Sequence, residues 1–202
     1  MLEIDPLEGD MGGTVFRDVI ILVLAGFVVI VLLLLPHINP PAQAAKQSMD
    51  PPGNVMVEMR WPIELDTDIN LWVLAPGDSP VGYSHKDGSA LNLLRDDRGH
   101  LRDASNLNYE VSYSRGAPAG EYVVNPHLYN SRSDILAPIP VDVVVSVRRS
   151  ASAGAQQIVT STVLLRRVGE EITVFRFKLD DNGQLVADSV HKIFKPLRVE
   201  KG

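Results

Sequence analysis

The chain has 202 residues, a formal net charge of -6 and no cysteine. That length accommodates one ordinary domain with appendages or two small domains. No lysine- or arginine-rich block is present to displace counterions from a nucleic-acid backbone, so nucleic acid is not an expected partner, and the absence of thiols removes disulfides, thiolate metal sites and cysteine nucleophiles together.

Residues 1–13 form an acidic tail with Glu3, Asp5, Glu8 and Asp10 and no basic residue. A strongly apolar stretch follows over 14–35, and seventeen consecutive residues from Val19 to Leu35 carry no polar side chain. That length spans the hydrocarbon core of a bilayer. An acidic rather than basic leader and the length of the apolar run argue for a retained transmembrane helix over a cleaved signal peptide. The run opens on an ionisable pair, Arg17 and Asp18. An ionisable side chain near hydrocarbon is costly, which makes it a functional candidate, although marking the membrane interface is the plainer use. At 100° per residue, Asp18, Leu22, Ala25 and Val29 share a helix face with Gly26 at its side, and the two small residues permit close approach by another helix.

Residues 36–53, "PHINPPAQAAKQSMDPPG", hold five prolines in eighteen positions and no hydrophobic periodicity. They read as a semi-extended linker. From 54 to 202 the pattern is that of strands. Val55, Val57, Met59 and Trp61 alternate with Met56, Glu58 and Arg60. Further strands are expected over 68–74, 109–114, 121–128, 141–148, 158–168, 172–179 and 185–194. Asn182-Gly183 suits a type I′ turn joining the last two as a hairpin. The expected fold is therefore mainly β: an N-terminal transmembrane helix, a Pro-rich linker and a C-terminal β-sandwich of about eight strands.

Several residue groups carry possible chemistry. Asp66, Asp68 and Asn70 alternate along one segment, and Asp87 or Asp96-Asp97 could add oxygens for a hard cation such as calcium. As an EF-hand the segment fails, because Leu71 stands at the sixth position and Gly77 at the twelfth. A solvated strand face is the commoner reason for alternate polar residues, and no metal site or cofactor is expected. Trp61, Trp72, Tyr83, Tyr109, Tyr113, Tyr122 and Tyr129 suit either a ligand groove or core packing. Arg148-Arg149 and Arg166-Arg167 read as solvated edges. No nucleophile elbow, phosphate-binding loop or zinc-protease motif occurs, and the five histidines are scattered, so an enzyme is not expected.

An acidic tail, then "FRDVIILVLAGFVVIVLLLLP" with an early Asp, then a linker and a folded domain, resembles the ExbD, TolR and MotB class of motor subunits. The resemblance implies an inner-membrane protein with a cytoplasmic N-terminus and a periplasmic C-terminal domain. It also implies a homodimer within a ring of a polytopic ExbB-, TolQ- or MotA-like partner, an envelope component as target, and Asp18 as proton carrier. Arg17 has no counterpart in that pattern. In the C-terminal part, "DTDINLWVLAPG", "LNLLRDDRG" and "APAGEYVVNPHLYN" resemble a group of bacterial envelope β-sandwiches. The competing expectation is a membrane-anchored periplasmic binding module for a glycan or protein, with no ion transport.

Overall fold

The computed structural model describes residues 11–38, 54–100, 107–134, 137–150 and 153–198. Most of the acidic tail (1–10) and of the Pro-rich linker (39–53) lies outside these residues. The chain divides into two units, Met1–Gln47 and Ser48–Gly202.

The described residues of the first unit form one helix, α1, Met11–Ile38. It begins three residues before the expected start at 14 and passes through Pro36, which ends the ladder of helical N–H groups only two residues before the helix stops. The segment Gly13–Leu33, 21 residues, is long and apolar enough to cross a membrane. At the helical rise it covers about 30 Å, the thickness of a bilayer's hydrocarbon. All its side chains from 13 to 33 are exposed.

The second unit is built of eight strands in two antiparallel sheets. The strands are β1 (Val55–Arg60), β2 (Thr67–Leu74), β3 (Leu91–Arg95), β4 (Tyr109–Ser114), β5 (Gly120–Ser131), β6 (Ile139–Val147), β7 (Gln156–Leu165) and β8 (Phe175–Leu179). The larger sheet has the order β3-β4-β1-β6-β7 and the smaller β2-β5-β8. Alternation decides which face is buried: Val55, Val57 and Met59 of β1 and Val141, Val143, Val145 and Val147 of β6 point inward, and the residues between them point outward. From the smaller sheet come Ile69, Leu71, Val73, Tyr122, Val124, Phe175 and Phe177, and the two sets form one core cluster. Tyr122 stacks on Phe177 with ring centroids 5.1 Å apart, and its hydroxyl donates to the Pro118 carbonyl at 2.9 Å. Burying these side chains against one another is the main stabilising contribution.

In β2 nearly every residue is buried, because its outer face is covered as well. Leu197, in the segment after β8, packs with Trp72 and Val123, and Tyr83 closes the same small cluster. Asn125 Nδ2 donates to the Lys195 carbonyl at 2.8 Å and Leu197 N donates to Glu171 Oε1 at 2.9 Å, which fastens that segment to the sheet.

Three expectations are corrected. Leu91–Arg95 is a strand, unannounced by its short mixed pattern and interrupted at Leu94 by a register shift against β4. Residues 185–194 do not form a strand: their backbone pairs with the sheet through the isolated bridges Leu179↔Leu185 and Arg176↔His191, and Asp188, at φ 56°, breaks the extended run. The Asn182-Gly183 turn is not type I′, because only Gly183 (φ 67°) is left-handed. Asp180 organises it instead, its Oδ1 accepting from Asn182 N at 2.9 Å and Gln184 N at 2.8 Å.

Gly82 lies in the tight turn that pairs with His85, and a Cβ there would overlap the buried Trp72 indole. Tyr83 and Leu197 pack around that ring, so it has little room to move. Gly82→Ala is expected to destabilise the domain by about 1–3 kcal/mol, the usual cost of overpacking. A denaturation curve followed by tryptophan fluorescence measures it; an unchanged midpoint would show that the indole relaxes freely.

Candidate functional site

The sequence pointed to α1 and to the Asp66–Asn70 segment. On α1, Asp18 is exposed, as are Leu22, Ala25, Gly26 and Val29 on the face expected for packing. A Cβ built at Gly26 meets nothing within 4 Å, as every residue from 13 to 33 is exposed. Among the described residues Asp18 has no ion-pair partner, and neighbouring Arg17 does not provide one. Consecutive helical side chains lie 100° apart, too far round the cylinder to face each other.

In the β unit, a cleft of about 320 Å³ opens at one end of the small sheet, lined by Asp68, Asn70, Tyr83, Asp96, Arg98, Tyr129, Asn130 and Arg132. Asp68 and Asn70 come from alternate positions of β2 and so share a face. The opposing strand is irregular here: Asp68 pairs with Asn130 but Ile69 pairs with Leu128, which leaves Tyr129 as an extra residue in β5. This bulge delivers Tyr129 and Asn130 together to the cleft. Tyr129 is 49% exposed. Its ring is held by Tyr83 (centroids 5.3 Å), which in turn meets Trp72 (5.7 Å).

Charges in and around the cleft are largely satisfied within the fold. Asp96 binds Lys86 at 2.8 Å, with Arg98 at 3.7 Å, and Arg132 binds Asp66 at 2.9 Å and the Arg98 carbonyl at 3.1 Å. Asp66 also accepts from His100 N at 2.9 Å, and these bonds hold its carboxyl below the ordinary range against a desolvation that pushes it up. Asp97 turns inward to accept from Arg95, Gly99 N and Tyr109 N. Beneath them Glu110 of β4 is fully buried, its two oxygens accepting from Leu71 N at 2.6 Å and Asp97 N at 3.1 Å. Burial raises its pKa well above the usual carboxylate value despite those bonds.

Asp68 is the exception. It is 8% exposed, and among the described residues its side chain accepts one hydrogen bond, a 3.3 Å contact from Asn70 Nδ2. Desolvation, with Asp96 close by, raises its pKa to about 6, outweighing the opposing pull of Arg132 and Arg98. The carboxylate therefore retains acceptor capacity directed at the cleft it lines.

The suspected calcium ligands are not brought together. Asp66 is engaged by Arg132 and the His100 amide, Asp87 accepts from Asn92 at 2.5 Å, Asp97 turns inward, and of the candidates Asp68, Asn70 and Asp96 line the cleft, Asp96 being held by Lys86. Among the described residues, no group of three or more His, Asp or Glu side chains is placed to hold a metal. Of the aromatic candidates, Tyr83 and Tyr129 reach the cleft, while Trp61 and Tyr122 belong to the core and Tyr109 lies between the Arg60 and Arg95 guanidiniums. Arg98, Arg132, Asn130 and Glu110 carried no local signal, because their relevance arises from pairing across elements. Ser79 Oγ lies 3.0 Å from His85 Nε2 in an exposed turn. Among the described residues no carboxylate orients that ring, so the pair lacks the third member of a hydrolytic triad.

The raised pKa of Asp68 has a stability consequence. Its folded value is about 6 against 3.8 for an ordinary aspartate, so the folded chain binds more protons between those values and loses stability as pH rises through that window. Asp68→Asn removes this cost and is expected to raise stability by about 1–3 kcal/mol at pH 7.5. The gain should vanish near pH 4. Melting curves of the two chains across pH check this; equal stability at pH 7.5 would refute it.

None of the known protein-family models, curated proteins or solved structures compared with this chain matches it.

Proposed function

We propose that the chain is the single-span subunit of a proton-driven membrane motor, with Asp18 as the proton carrier and the β unit transmitting motion to an envelope component. The observation that carries this reading is the setting of Asp18: a carboxylate inside an apolar, fully exposed helix, without an ion-pair partner among the described residues. A charged side chain at the centre of a membrane helix costs about 2.5–3.5 kcal/mol on insertion scales, less toward the ends, so such groups are kept where a protein partner or a wet path receives them. One helix cannot enclose a proton path. The sequence resemblance supplies a polytopic partner, and the small residues Ala25 and Gly26 suit close approach by helices of the complex.

In this reading, protonation of the Asp18 carboxylate removes its charge and lets it cross a dry contact with the partner. Deprotonation restores attraction to a polar site beyond it. Alternation between the two under a proton gradient moves the helices relative to each other. The N-terminus is cytoplasmic, the β unit periplasmic and the chain a homodimer, as the sequence resemblance implies.

A second reading, an anchored binding module without ion transport, draws support from the cleft around Asp68.

The neighbouring reading frames are to be searched for a polytopic membrane protein, and the chain co-expressed with it, comparing wild type, Asp18→Asn and Asp18→Glu; absence of any such protein counts against the motor reading. The expected outcome is that Asn abolishes activity while the complex still co-purifies, and that Glu retains part of it. Full activity of Asp18→Asn would overturn the motor reading in favour of the binding module.

A further inference from the structure

The cleft at the end of the small sheet has no assigned occupant, and three independent features describe what it accepts. The first is its charge. Asp68 and Asp96 are matched by Arg98 and Arg132 in the lining, so the cleft is close to neutral. A cationic ligand would face both guanidiniums, and an anionic one would face both carboxylates. The second is the hydrogen-bonding inventory. Asp68 is nearly buried with unfilled acceptor capacity, and the amides of Asn70 and Asn130 stand beside it. A buried polar group with unmet capacity costs stability, and a ligand bearing several donor hydroxyls removes that cost. The third is shape. The bulge in β5 projects Tyr129, whose half-exposed ring is propped by Tyr83 and Trp72 and is thus fixed before any ligand arrives. A preorganised aromatic face beside a carboxylate and two amides suits a molecule that is apolar on one face and rich in hydroxyls at its edge.

We propose that this cleft binds a neutral saccharide, with one sugar ring packed against Tyr129 and its hydroxyls donating to Asp68 and exchanging hydrogen bonds with Asn70 and Asn130. At about 320 Å³ the cleft is at the lower end of the small-ligand range of about 300–1,000 Å³, which suits a single sugar unit of a longer glycan. Arg98 and Arg132 hold the walls through Asp96 and Asp66. The inference goes beyond the motor reading and does not rest on Asp18: a glycan site on the β unit serves an anchor or an output domain alike.

The test uses the full chain in detergent micelles, applied to an immobilised panel of neutral, acidic and amino oligosaccharides, with free glycine and lysine as soluble competitors. Neutral oligosaccharides are expected to retain the protein without competition from either amino acid. The best neutral probe is then titrated against wild type, Asp68→Asn, Tyr129→Ala and Asp142→Asn, the last on the opposite sheet, where it pairs with Thr162. Asp68→Asn and Tyr129→Ala should each weaken binding by roughly 10–100-fold, the effect of losing a hydrogen bond to a charged group or a buried contact. Asp142→Asn should bind as wild type. Because Asp68→Asn is expected to stabilise the fold, its loss of binding cannot be assigned to unfolding. Retention of no neutral saccharide, preference for charged glycans, competition by glycine or lysine, or undiminished binding by both cleft variants would each overturn the proposal.

Discussion

The buried carboxylate of Glu110 fixes the geometry on which the rest of the β unit depends. β2 is an edge strand of the smaller sheet, and its Leu71 and Val73 amides, two residues apart, point to the side where no further strand lies. Val73 is satisfied by a bridge to Val81, and Leu71 by the Glu110 side chain reaching over from β4 of the other sheet. The second oxygen of Glu110 takes Asp97 N, so one side chain joins both sheets and the loop after β3. A buried acid is expensive on its own, and here the expense is offset by occupying the place where an additional strand would otherwise dock. An edge closed in this way is not available for indiscriminate pairing. The loop it anchors also carries Asp96 and Arg98 to the cleft wall.

How legible each part was follows from the range of the interactions involved. The strands with clean alternation, β1 and β6, could be read in the sequence because one buried face imposes period two, whereas β4 alternates in residue type but buries its polar side, Glu110, Ser112 and Ser114. The stretch over 185–194 carried enough apolar residues to look like another strand, yet Val186, Val190, Ile193 and Phe194 remain exposed and pairing is confined to isolated bridges. β3 is short and half polar, and it is a strand because β4 lies beside it, a fact of tertiary structure. At the cleft, Asp68 and Asn70 were visible as alternate polar residues, but their company was not. Arg132 lies beyond the end of β5 and Arg98 beyond β3, and no local pattern announces that these ends meet. Glu110 was hidden for the opposite reason: alternation marked its strand without marking that the buried position had taken a carboxylate.

The two units place opposite demands on their acidic residues. On α1, Asp18 is exposed and has no ion-pair partner among the described residues. In the β unit most carboxylates are consumed internally. Asp78 is the extreme case: its oxygens accept from Ser79, Ser89, Ala90 and Leu91, and those bonds together, against the desolvation that opposes them, hold it well below the usual carboxylate range. Asp78 is structural because its environment is complete, whereas Asp68 and Asp18 stand out because theirs are not. Chemical candidacy in this molecule is a matter of unfilled coordination more than of residue type.

The bulge at Tyr129 separates two kinds of inheritance along one strand. On its N-terminal side Tyr122, Val124 and Leu128 belong to the shared core and are constrained by every residue they touch. On its other side Tyr129 and Asn130 face the cleft. Because the extra residue absorbs the change of register, side chains beyond it can be exchanged without shifting those before it. Exchanges at Tyr129 and Asn130 therefore alter the lining of the cleft without displacing the core residues that precede the bulge.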